Sequence, residues 1–179
     1  MAPRLPPTLA IVALAAALGA CEPTYGPPPP TRITTPTEET QFRAADFAWS
    51  KGSGRNALSG QVTYRAGALR YGCAGAPVVL TPETPWSRKR IGVLYMSTER
   101  AALPIDEVRA RGAEAPPGDS EPFVRKVTCD KDSQFRFAGL PDGAWYVVVP
   151  AKPIGGSGPT LALMRRVTTR GGRAVSFEL

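Results

Sequence analysis

The chain predicts an all-β fold, an antiparallel β-sandwich of seven to eight short strands interrupted by one long excursion. Three observations carry this. The 179 residues include 20 Pro and 18 Gly, which cut the chain into short segments and leave little room for long helices. Beyond about residue 40, apolar residues recur with period two, as expected of strands with one buried face. Turn residues close each of these runs. Hydrophobic residues make up 42% of the chain, enough for a core, and the length is that of one domain.

Residues 1–20 read as a signal peptide. Arg4 precedes an apolar stretch from Leu9 to Leu18, followed by the small residues Gly19 and Ala20, and the stretch is too short to span a bilayer as a mature helix. Leu18-Gly19-Ala20-Cys21 resembles the lipobox of bacterial lipoproteins. The resemblance implies that Cys21 receives a diacylglyceryl group and becomes the new N-terminus; ordinary secretory cleavage after Gly19 is the alternative. More than one acyl chain is needed for durable anchoring, and a modified Cys21 supplies them. Residues 21–40 then form a tether: EPTYGPPPPTRITTPTEET lacks apolar periodicity, and Pro27 to Pro30 favour an extended polyproline conformation. At about 3 Å per residue it reaches roughly 60 Å when extended. The expected location is the bacterial cell envelope, with the outer membrane favoured because Glu22, not Asp, follows the lipobox cysteine.

The domain occupies residues 41–179. FRAADFAWS (42–50) reads as a mixed extended segment, and LSGQVTYR (58–65) places Leu58, Val62 and Tyr64 on one parity around Gly60. APVVLTP (76–82), VRKVTC (124–129), QFRFAG (134–139) and WYVVVP (145–150) follow as short strands. Leu140-Pro141-Asp142-Gly143 suits a type I turn and predicts a hairpin between the last two. Gly171-Gly172 predicts a second hairpin within LALMRRVTTRGGRAVSFEL. The excursion runs from Trp86 to Pro122; Ser87 is positioned to cap a helix starting at Arg88, and Pro104 and Pro116-Pro117 stop anything longer.

The stretch from Asp130 through Phe135-x-Phe137 and Leu140-Pro141-x-Gly143 to Trp145-Tyr146 resembles the carboxypeptidase regulatory-like domains. Gly60-x-Val62, Cys73-Ala74-Gly75 and Val78-x-Leu80-x-Pro82 resemble the first two strands of the same domains, so the likeness covers about residues 57 to 150. Ser133 departs from the pattern, standing where Gly is common. The resemblance implies a transthyretin-like (prealbumin-like) sandwich and is nearly silent on function. If Cys21 is lipidated, two of the three cysteines remain, Cys73 and Cys129. In an oxidising compartment a disulfide between them is the simple inference, and two free buried thiols are the alternative. Placed on the resembling domain, a bridge would close a loop of roughly 57 residues at the base of the excursion, contributing about 3 to 4 kcal/mol.

The sequence contains no His, no Cys pair at short spacing, and neither a Ser-x-x-Lys nor a Gly-x-Ser-x-Gly pattern. It therefore predicts no zinc site, no cofactor and no enzyme. No Gly cluster leads into the Lys-Ser/Thr of a phosphate loop. Net charge is +7, or about +6 once Arg4 leaves with the leader, but no nucleic-acid motif accompanies it, so nucleic acid is not an expected partner. The expected function is a noncatalytic, lipid-anchored interaction or structural module. Its partners are the membrane, through the anchor, and an envelope protein or glycan. Expected contact residues lie in the excursion: Trp86, Arg88, Lys89, Arg90, Tyr95, Arg109 and Arg111. Trp86 has a second reading, as a core plug beneath the loop. The rival function is a glycan- or ligand-binding module with Trp49, Trp86 or Trp145 as a stacking ring.

Overall fold

The structure is a computed structural model that describes residues 40–179. The expected signal peptide, lipidated Cys21 and tether lie outside the described residues. Among the described residues, ten strands form two sheets, and the fold is an all-β sandwich. The smaller sheet has β1 (Asn56–Gln61) between β10 (Ala174–Glu178) and β7 (Gln134–Leu140). The larger is organised on β8 (Gly143–Ile154). One edge of β8 pairs with β4 (Pro77–Pro82) and then with β3 (Leu69–Gly72); the other pairs with β9 (Leu161–Thr169). Beyond these lie β6 (Arg125–Thr128) on β4, the short β2 (Arg65–Ala66) on β3, and β5 (Arg100–Pro104) on β9.

The core lies between the sheets. Leu58, Phe135 and Phe137 from the smaller sheet meet Val78, Leu80, Trp145, Val147, Val149 and Leu163 from the larger. Period-two alternation puts them there. Trp145 is fully enclosed, and its indole N–H donates to the Thr169 hydroxyl at 3.0 Å, as a buried indole requires.

Both predicted hairpins are corrected. β7 and β8 flank Leu140-Pro141-Asp142-Gly143 but belong to different sheets, so the turn carries the chain across the sandwich. Its residues clamp three segments together. Asp142 Oδ1 accepts from the Asn56 side-chain amide at 2.8 Å and from the Gly171 N–H at 3.0 Å, and the Thr169 hydroxyl donates to the Pro141 carbonyl at 2.7 Å. Gly143 is required by close approach, since a Cβ there would fall 2.1 Å from the Trp49 ring. The chain does turn at Gly171-Gly172, but β10 leaves β9 and joins β1 in parallel register, Ala57 opposite Ala174 through Gln61 opposite Glu178. The sandwich is thus antiparallel except for this one pairing. Turn residues dictate reversal locally; which strand the returning chain meets is decided by burial of Val175 and Phe177 against the core.

Residues 44–51 form a 3-10 helix rather than an extended segment, with Phe47 buried. The excursion is ordered and contributes β5, a strand its sequence did not predict. Its main helix, α1 (Pro85–Tyr95), starts three residues before the expected Arg88. Thr84 is the N-cap: its hydroxyl accepts from the Ser87 N–H at 3.0 Å while the Ser87 hydroxyl accepts from the Thr84 N–H at 2.7 Å. Ser87 is therefore the far half of a capping box, and Pro85 takes the first helical position, where its missing N–H costs nothing. Ile91 and Tyr95 of α1, with Val108 of α2 (Ile105–Ala110), pack on Tyr146, Ala162 and Met164. Helices thus cover the outer face of the larger sheet, which explains why WYVVV is apolar on both parities.

Cys73 and Cys129 form a disulfide, with Cα atoms 5.7 Å apart and both residues buried. It joins the chain just past β3 to the chain just past β6. Ser133 adopts the left-handed conformation (φ 59°) that favours Gly, and its hydroxyl accepts from the Cys73 N–H at 3.1 Å. That hydrogen bond, otherwise missing from a buried amide, offsets the backbone strain.

Candidate functional site

The two sheets differ in what lies outside them, and this positions the candidate site. In the smaller sheet, LSGQ of β1, QFRF of β7 and AVSFE of β10 alternate between an inward and an outward side chain. Leu58, Phe135, Phe137, Val175 and Phe177 turn inward. Ser59, Gln61, Gln134, Arg136, Ser176 and Glu178 therefore share the outer face. Register aligns them in two rows, Ser176-Ser59-Arg136 and Glu178-Gln61-Gln134. The rows line an open depression of about 670 Å³, bordered by Thr128 and Asp130.

Gly60, in the middle of the central strand, is fixed by packing. A Cβ there would lie 2.1 Å from the Phe135 ring, which sits over the strand next to Phe177 at a centroid separation of 5.9 Å. The aromatic pair stiffens the inner side of the sheet that carries the two polar rows. Asp130 is already engaged, its Oδ1 accepting from the Asp132 and Gln134 N–H groups at 3.0 and 2.8 Å. Glu178 Oε2 accepts from the Thr63 hydroxyl at 3.3 Å. Arg136, Gln61 and Gln134 bring donors and acceptors to a face with no aromatic ring on its outer side. Such a surface recognises hydroxyl, amide or carboxylate groups by hydrogen bonding. No group of three or more metal-ligating side chains exists among the described residues, and no described helix is long and apolar enough to cross a membrane.

The residues expected to contact a partner are placed differently. Trp86 and Tyr95 are buried, 1% and 6% exposed, and cannot present a ring to a partner. For Trp86 the core-plug reading holds. It packs edge-on against Phe42 (5.1 Å) and Phe47 (6.0 Å), and its indole N–H donates to the Pro117 carbonyl at 2.9 Å. Arg90 donates to the Pro116 carbonyl at 2.8 Å and lies over the Trp86 ring. Arg111 reaches the Leu94 carbonyl and Glu107, Arg109 pairs with Asp106, and Arg88 pairs with Glu83. Lys89 is exposed. Much of the expected contact set thus fastens the helical layer to itself. Among the stacking candidates, Trp145 and Trp86 are enclosed, and half-buried Trp49 stands edge-on to Trp145 at 4.8 Å.

Beneath the helical layer, burial pushes the Tyr95 hydroxyl up to about 12. Burial, reinforced by the Glu83 carboxylate, does the same to Tyr146, also to about 12. The Tyr146 hydroxyl is enclosed with no hydrogen-bond partner among the described residues. Glu83 holds both Arg88 and Arg166, and its hydrogen bond pushes the already charged Arg166 guanidinium further up from its ordinary range.

The outward residues of the smaller sheet were visible in the sequence as the polar half of each alternation. Nothing marked them as a surface, because the pairing that assembles them joins β1 to a strand 117 residues away.

No protein-family model matches the chain, and no curated protein does. Among solved structures, it is similar to a protein from Pseudomonas aeruginosa named as a "putative carbohydrate binding protein", with a TM-score of 0.53 and 19% identity. The match covers 77% of this chain and 97% of that one. At this identity the likeness is one of fold, and it agrees with the all-β sandwich described above.

Proposed function

We propose that the chain is a noncatalytic, lipid-anchored binding module of the bacterial envelope, whose head takes a glycan on the open face of the smaller sheet. The observation that carries this is the pair of polar rows, Ser176-Ser59-Arg136 and Glu178-Gln61-Gln134, left uncovered while helices cover the outer face of the other sheet. Polyhydroxylated ligands suit a surface of fixed amides and hydroxyls backed by a rigid aromatic layer. The carbohydrate-binding designation of the similar Pseudomonas aeruginosa protein supports the ligand class. The absence of His and of nucleophile patterns supports a noncatalytic role. The Leu18-Gly19-Ala20-Cys21 lipobox and Pro-rich stretch support the anchor. The motif from Asp130 to Tyr146 supports assigning the head to the carboxypeptidase regulatory-like, transthyretin-like sandwiches.

The test is a binding screen of the full chain against oligosaccharides from lipopolysaccharide core and peptidoglycan. Gln61→Ala and Arg136→Ala should each weaken a hit by about tenfold, the loss of one or two good hydrogen bonds. Lys89→Ala, on the helical layer, should not. If every glycan fails while crosslinks from this face capture envelope proteins in situ, the module is a protein-interaction device instead.

A further inference from the structure

On the inner face of β9, the side chains in sequence parity are Leu161, Leu163, Arg165 and Val167. Three are buried apolar residues of the core and one is an arginine. Register places Arg100 of β5 directly opposite Arg165, and Ala102 opposite Leu163. Two like charges thus face each other at a position where the strand pattern calls for apolar residues. Such a pair is destabilising unless something neutralises it. Among the described residues, no carboxylate forms an ion pair with either guanidinium. Arg165 donates to the Glu178 backbone carbonyl and lies over the Phe177 ring at 5.6 Å. The Glu178 carboxylate is turned to the Thr63 hydroxyl. Here the two sheets part, leaving a cavity of about 470 Å³ lined on the apolar side by Tyr64, Ala102, Leu163 and Leu179.

An inward charge on an edge strand discourages edge-to-edge association, and that accounts for Arg100 alone. It does not account for Arg165, whose strand is paired on both sides, to β5 and to β8. A charge on a doubly paired strand at the mouth of a cavity, with no such account, is the pattern of a binding site. We propose that this opening between the sheets binds a small amphipathic anion, its carboxylate or phosphate head held between Arg100 and Arg165 and its apolar body lying along Ala102, Leu163 and Leu179. The volume falls within the range of small-molecule sites. Two guanidiniums without carboxylate partners give charge complementarity to the head. This site shares Glu178 with the depression on the outer face of the smaller sheet but none of the other residues of the two polar rows, and it stands or falls without the glycan reading.

The experiment is calorimetric titration of the full chain with decanoate and decyl phosphate, alongside decanol (tail without charge) and acetate (charge without tail). At least one of the two amphipathic anions should bind at least about tenfold more tightly than decanol or acetate, and comparing them identifies the preferred head. Arg100→Gln and Arg165→Gln should each weaken that binding by about tenfold or more. Ala102→Leu should weaken it by filling the cavity, while Gln61→Ala leaves it unchanged. Arg100 is exposed at the edge, so its variant keeps the test valid if Arg165→Gln fails to fold. Decanol binding as tightly as the anions would overturn the proposal, as would unchanged affinity in Arg100→Gln.

Discussion

The outer faces of the two sheets make an instructive pair. On the larger sheet Tyr146, Ala162 and Met164 are as buried as the core side of the same strands, because α1 and α2 lie over them. On the smaller sheet the equivalent outward positions are Ser59, Gln61, Arg136 and Ser176, with no helix above them. The same sandwich thus supports a closed face and an open one, and sequence composition on the outward parity records which is which. An apolar outward parity reports a cover; a polar one reports solvent or ligand.

Substitutions that strip or perturb each face should separate the two. The largest effect is expected from Trp86→Ala, which removes the ring that joins α1 to Phe42 and Phe47. Large aromatic truncations in a core cost about 3 to 5 kcal/mol, so chemical denaturation should show a loss of that order. Alkaline pH probes the same layer. Tyr95 and Tyr146 are raised to about 12, above the value near 10 of an exposed phenol. The unfolded chain therefore loses these protons first. Stability should be intact below pH 10 and fall as pH rises through 12, by on the order of 2 kcal/mol per tyrosine. Ultraviolet titration should show these two ionising late, and Tyr146→Phe should reduce the alkaline loss. Gly60→Ala tests the inner support of the open face. Its Cβ would meet the Phe135 ring, and overpacking of this kind costs about 1 to 3 kcal/mol by thermal melt. The smallest effect is expected on the open face itself: Gln61→Ala should stay within about 0.5 kcal/mol of the parent, as surface substitutions do. A stability loss matching that of Trp86→Ala would mean that the face is structural, and the contrast between the sheets would fail.

Features governed by short-range chemistry were legible in the sequence. Phe135-x-Phe137 and Trp145-x-Val147-x-Val149 are the buried parities of β7 and β8. The Cys73–Cys129 pairing, 56 residues apart, is the long-range exception: it formed as the simple inference had it, because setting Cys21 aside left two cysteines to pair. Partner choice over distance was not legible. Leu140-Pro141-Asp142-Gly143 and Gly171-Gly172 both reverse the chain, but neither return strand pairs with the one it leaves, since a turn fixes direction and not neighbour. Arg90 looked like a loop residue suited to binding because the sequence cannot show that it reaches the Pro116 carbonyl, whereas the core-plug reading of Trp86 was open in the sequence but its neighbours Phe42, Phe47 and the Pro117 carbonyl were not. Ser59 and Gln61 were readable as outward residues, but the row they share with Ser176 and Glu178 exists only after the parallel pairing forms.

That parallel pairing also bears on the order of assembly. β1 and β10 meet across 117 residues, a separation spanned by the Arg173 N–H bond to Asn56 Oδ1 at 3.0 Å. Contacts this distant in sequence carry a loop-closure cost that neighbouring contacts do not. The polar rows are complete only once β10 has docked on β1. Ligand capture on this face would therefore act as a proofreading signal: only a molecule that has finished folding can display the complete surface.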